Sequence, residues 1–105
     1  MGFNMQKLMK QAQKMQADVA RVQEELKDII VEGTSGGGMV KVEVTARQEI
    51  ISIKIDPEVI DPEDPELLED LLLAALKDAL ENSQQRAAEE MQKVTGGLGL
   101  PGGMF

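Results

Sequence analysis

Apolar residues stand at Met5, Leu8, Ala12, Met15, Val19, Val22, Leu26 and Ile29, alternately three and four positions apart. This is a heptad seam, and it predicts one amphipathic helix over residues 5–29 with Asn4 as its N-cap. No Pro or Gly interrupts residues 6–27. Such a helix is on the order of 37 Å long. One small domain does not cover that length, so the seam calls for a second helix of the same chain or for another chain.

The period then changes. Residues 29–32 (Ile-Ile-Val-Glu) favour extended chain and lead into Gly33-Thr34-Ser35-Gly36-Gly37-Gly38, which reads as a turn. Val40, Val42, Val44 and Ala46 alternate with Lys41, Glu43 and Thr45, the mark of a strand with one buried face. Residues 49–56 read as a third strand, with Ile51, Ile53 and Ile55 on one side and Ser52 and Lys54 on the other. The short link at Arg47-Gln48 demands antiparallel neighbours. Pro57, Pro62 and Pro65 punctuate an acidic connector, and Asp64 followed by Pro65 marks a helix start. Leu67, Leu68, Leu71, Leu72, Ala75, Leu76, Ala79 and Leu80 follow at helical spacing, and the helix continues to about Val94, before Gly96-Gly97 stops it.

The expected fold class is α+β. It is a two-layer α-β-β-β-α arrangement with a three-stranded antiparallel sheet, both helices on one sheet face, and two long protruding helices whose far ends extend beyond the sheet. Residues 1–95 form a single domain, and 96–105 a flexible Gly-rich tail.

Composition removes most catalytic chemistry. The 105 residues include no Cys, His, Trp or Tyr. Thiolate nucleophiles, the imidazole proton shuttle and the common zinc sites are therefore absent. Asp61, Glu63 and Asp64 lack the Gly and distal Glu of a calcium loop and read as capping residues. Gly36-Gly37-Gly38 lacks the Lys-Ser/Thr of a phosphate loop. The chain is expected to have no catalytic residues, metal, cofactor or small-molecule substrate. It shows no apolar run of membrane-spanning length and no secretory signal, which sets the expectation of a cytoplasmic protein without a membrane partner.

Charge then singles out one surface. The net charge is −8, yet residues 1–17 hold Lys7, Lys10 and Lys14 and no acid. Residues 56–81 hold ten acids against Lys77 alone, a local charge of −9. Lys7, Lys14 and Arg21 recur every seven residues, with Lys10 beside them, on the side of the helix away from the seam. From Lys7 to Arg21 this stripe runs about 21 Å. Phosphates of one DNA strand repeat every ~3.4 Å, so the stripe matches several of them.

The segments Met5-Gln6-Lys7-Leu8-Met9-Lys10-Gln11-Ala12-Gln13-Lys14-Met15-Gln16, Gly38-Met39-Val40-Lys41-Val42, Ile55-Asp56-Pro57, Leu68-Glu69-Asp70-Leu71 and Leu100-Pro101-Gly102 occur in this order. Together they resemble the YbaB/EbfC family across nearly the whole chain. The resemblance implies a nucleoid-associated, double-stranded-DNA-binding homodimer, joined largely through its sheets, whose protruding helices grip the duplex. On that reading Lys7, Lys10, Lys14 and Arg21 contact phosphates. Gln11 adds hydrogen bonds, and Arg86 and Lys93 on the second helix complete the surface. Such contacts position a duplex without reading its sequence. The acidic residues 56–81 confine any DNA face to the helix tips. The competing reading is a protein-interaction module that recruits a partner in a DNA-repair or replication complex through the heptad helix.

Overall fold

The computed structural model describes residues 4–96. Of the glycine-rich tail expected over 96–105, residues 97–105 lie outside them. Helix α1 spans Met5–Leu26 and begins as expected, with the Asn4 side chain accepting the Lys7 backbone N–H at 3.2 Å. It stops one turn short of the expected end. Ile29 has left the helix, and its carbonyl accepts the Ala46 N–H at 2.9 Å, extending the sheet ladder by one bond. Three successive β-branched residues, Ile29 to Val31, favour that extended path over a further helical turn.

Strands β1 (Ile30–Ser35), β2 (Val40–Thr45) and β3 (Ile50–Ile55) form an antiparallel meander in the order β1-β2-β3. The turn expected over 33–38 is half strand. Gly33, Thr34 and Ser35 pair with Val42, Lys41 and Val40, and only Gly36–Gly38 turns the chain, through three positive φ angles of 58°, 68° and 96°. Gly33 serves close approach instead. A Cβ there would fall on the backbone nitrogen of Ala79 and lie 2.6 Å from the Ala75 carbonyl oxygen.

Helix α2 (Pro65–Gly96) starts at the Asp64 cap, whose carboxylate accepts the Leu67 N–H at 3.3 Å. It lies across β1 and β2. Its Ala75 and Ala79 join Val40, Val42, Val44 and Val59 in the main core, flanked by Leu68, Leu71, Leu72, Leu76 and Leu80. Side-chain hydrogen bonds fasten it along β1. Asp78 accepts the Thr34 N–H at 3.0 Å, Asn82 donates to the Glu32 carbonyl at 2.9 Å, and Ser35 donates to the Leu71 carbonyl at 2.6 Å. Buried Ser83 donates to the Thr45 carbonyl at 2.7 Å and accepts the Gln48 N–H at 3.2 Å, which ties the β2–β3 turn to the helix.

β3 is only partly covered. Ile53 sits opposite Val42 and so faces the α2 side of the sheet, but it is 45% exposed because the helix does not reach it. A bulge at Glu43/Val44 pairs Val44 with Ile50 and takes Ile51 out of the expected alternation. Ile50 and Ile51 are exposed as well.

α2 alone spans the sheet face that the sequence pattern offered to both helices. α1 docks past the sheet's end, on the distal half of α2, where Val22 and Leu26 are buried with Ala46 against Ile29, Ala87, Met91 and Val94. The molecule is elongated, 76 × 26 × 16 Å with a radius of gyration of 20.1 Å. A compact chain of this length would have about 13 Å.

Candidate nucleic-acid interface

α1 outruns α2. The two helices flank a cleft of about 440 Å³, lined by Met15, Asp18 and Val22 of α1 and by Glu90, Lys93 and Val94 of α2. Gln11 and Lys14 also line this cleft, and from there α1 projects toward Asn4 with every residue of 4–14 exposed. This projection carries Lys7, Lys10 and Lys14 with no acid in its first turn. None of the three makes an ion pair among the described residues. The positive end of the α1 dipole adds to the same tip.

The other cations are already engaged. Arg21 lies between Asp18 at 3.7 Å and Glu25 at 3.6 Å. Arg86 donates to Glu90 at 3.1 Å, and Lys93 donates to both Glu90 oxygens at 3.1 and 3.2 Å. These hydrogen bonds, from Lys93 first and Arg86 second, hold the Glu90 carboxyl below the usual carboxylate range. The cleft gathers Gln11, Lys14, Arg21 and Lys93; Arg86 is not among its lining residues. The seven residues nominated from sequence thus divide by chemistry. Lys7, Lys10 and Lys14 are uncompensated positive charge, Gln11 stands at the cleft mouth beside Lys14, and Arg21, Arg86 and Lys93 are partly neutralised. The spacing carried the signal for the last group, since Arg86/Glu90 and Glu90/Lys93 stand four and three apart on a helix.

A phosphate reaching Lys93 or Arg86 meets the negative charge of Glu90 beside both. The pairing is present at neutral pH and is lost as pH falls through the depressed Glu90 pKa. At neutral pH, Glu90→Gln frees both cations. It is expected to raise affinity for a duplex several-fold, read by fluorescence anisotropy against the unaltered chain.

The acids of residues 56–81 lie at the other end, in the connector and the sheet-covering half of α2. Among the described residues there is no cluster of His, Cys, Asp and Glu able to hold a metal, and no helix long and apolar enough to cross a membrane.

Comparison with known proteins gives a consistent picture. The sequence profile of the YbaB/EbfC DNA-binding family matches residues 1–98. A protein named nucleoid-associated protein from Desulforamulus reducens is 59% identical over 102 residues, covering 97% of each chain. Nucleoid-associated protein TTE0040 from Caldanaerobacter subterraneus subsp. tengcongensis is 54% identical over 101 residues, 96% of this chain and 91% of that one. Among solved structures, the uncharacterized protein HP0035 from Helicobacter pylori superposes with a TM-score of 0.71 at 26% identity, over 83% of this chain and 91% of that one.

Proposed function

The chain belongs to the YbaB/EbfC DNA-binding family, and from that premise we propose that it acts as a homodimer gripping duplex DNA through the α1 tips, with little base discrimination, in organising the nucleoid and regulating genes. The family is one of DNA-binding proteins, not enzymes, and DNA is the partner it brings. The relatives' names place them at the nucleoid, which is the location we assign to this chain. The observation that carries the reading is the triad Lys7, Lys10 and Lys14, without an ion pair among the described residues, on a helix end that projects away from an acidic body. Lys14 leads from the tip into the cleft, where Gln11, Arg21 and Lys93 extend the polar surface; Arg86 lies on the same half of α2. Residues 1–95 act together as one domain on this reading.

The uncovered face of β3 supports the homodimer. Ile50, Ile51 and Ile53, with Leu73 at 54% exposure, offer apolar surface that a thin single-chain core leaves open. Ile53→Lys is expected to shift the protein from dimer to monomer in size-exclusion chromatography with light scattering. Duplex affinity should fall with it, because two linked tips bind more tightly than one. A variant that stays dimeric despite the new charge contradicts the sheet-face dimer.

A further inference from the structure

The α1 seam is apolar along its whole length, but α2 meets only the half nearer the sheet. Val22 and Leu26 are buried among Ala87, Met91 and Val94, and Met15 lines the cleft together with Val94. Further out Ala12 is exposed, Leu8 is 45% exposed and Met5 63%. From Met5 to Met15 the open seam is about 15 Å long. DNA does not account for it. With the seam at heptad positions a and d, the lysines stand at c and f, so a helix presenting them to phosphates turns its seam away from the duplex.

The direction of the chain says what lies nearest. Ser83 of α2 is bonded to the Thr45 carbonyl, and Ile29, just past α1, is bonded to the neighbouring Ala46. α1 therefore arrives at the sheet where α2 leaves it, and the two helices run antiparallel. Past Ser83, α2 follows the seam toward the α1 N-terminus, reaches the cleft at Val94 and ends at Gly96. Its axis, prolonged, runs down the open seam. The residues that follow in sequence are Gly97-Leu98-Gly99-Leu100-Pro101-Gly102-Gly103-Met104-Phe105. They carry apolar side chains and no charged one, so Lys7, Lys10 and Lys14 do not repel them. A second α1 would bring three lysines of its own. Pro101 and the glycines disfavour further helix. Nine extended residues reach up to about 30 Å, twice the open seam. Joined to α2 at the seam's edge, this segment is present at an effective concentration on the order of millimolar, and no flanking charge is needed to select it.

We propose that the segment after Gly96 lies back along the open α1 seam as an extended strap, with Leu98 and Leu100 on Ala12 and Leu8. Two residues of extended chain span about 7 Å, and the four helical residues from Leu8 to Ala12 span about 6 Å. The strap takes over the seam where α2 stops and leaves the lysines at c and f uncovered. It gives the projecting tip the second wall that its heptad pattern calls for.

The chain has no native cysteine, so the test is direct. Full-length protein carrying Leu8→Cys with Leu100→Cys is treated with a short thiol-specific crosslinker at low protein concentration. Lys10→Cys with Leu100→Cys is the control, because it has the same tether but lies off the seam. An equal mixture of isotope-labelled and unlabelled protein separates links within a chain from links between chains in the mass spectrum. The strap predicts a link within the chain in several-fold excess over the control. No excess, or an excess formed only between chains, overturns it. Native residues give a second readout through hydrogen exchange. Ending the chain after Gly96 is expected to speed exchange of the backbone amides of residues 8–14 several-fold and to leave residues 20–26 unchanged. Equal exchange at 8–14 in the two proteins overturns the strap. Neither readout involves DNA, so the DNA-binding reading stands or falls separately.

Discussion

Replacing Lys7, Lys10 and Lys14 together with Glu is expected to abolish duplex binding while leaving the folded dimer intact. All three residues are exposed and lack acidic partners among the described residues, so their reversal breaks no ion pair there. Its effect falls on the charge of the tip, which changes from three positives to three negatives in each chain. Affinity for a polyanion rests on the counterions that each cation displaces. In the proposed dimer six such cations are lost, which removes most of that term, and six new negative charges oppose what remains. We expect a loss of at least about a hundredfold in affinity at moderate salt. Circular dichroism and light scattering should match the unaltered protein. Binding that survives the triple change would move the DNA face elsewhere and sink the tip assignment. As a comparison, reversing Arg86 and Lys93 together should weaken binding far less, because Glu90 already holds both.

The second large effect concerns stability. Gly33→Ala is expected to destabilise the fold by about 3 kcal/mol or more, toward the upper end of what overpacking costs. The added methyl has nowhere to go. It would lie 2.5 Å from the Ala79 Cα and 2.6 Å from the Ala75 carbonyl oxygen, both backbone atoms of α2. The helix must lift off β1, which pulls on the Asp78, Asn82 and Ser35 hydrogen bonds and opens the core beneath Ala75 and Ala79. Net stability for a domain is about 5–15 kcal/mol, so this is a large share of the total. Urea unfolding followed by circular dichroism measures it. A midpoint unchanged from the unaltered protein would show that α2 does not bear on Gly33.

These two residue sets differ in how readable they were from sequence. The lysines were legible because heptad position fixes which face a residue occupies, and the absence of acids before Asp18 marks the tip as basic. The alternation of Val40, Val42 and Val44 and the Asp64-Pro65 start located β2 and α2 nearly residue for residue. Gly33 was misread as turn because a Gly-Thr-Ser-Gly run looks the same whether glycine serves a bend or a close approach. Only the position of α2, a contact forty-six residues away at Ala79, decides between them. The end of α1 was overrun because Ile29 satisfies the heptad seam and the strand equally well, and the sheet won it through the Ala46 hydrogen bond. The open face of β3 was hidden for a related reason. Alternation says which side of a strand faces inward, not how far the covering helix reaches.

Binding through the lysine tips is tested most directly by titrating the unaltered protein against a labelled random-sequence duplex at increasing salt, followed by anisotropy. Clear binding is expected at low salt, with a linear fall of log affinity against log salt. The slope, divided by ~0.9, should correspond to several phosphates per dimer. No binding at low salt, or an affinity indifferent to salt, would contradict the tip interface and turn attention to a protein partner for the heptad helix.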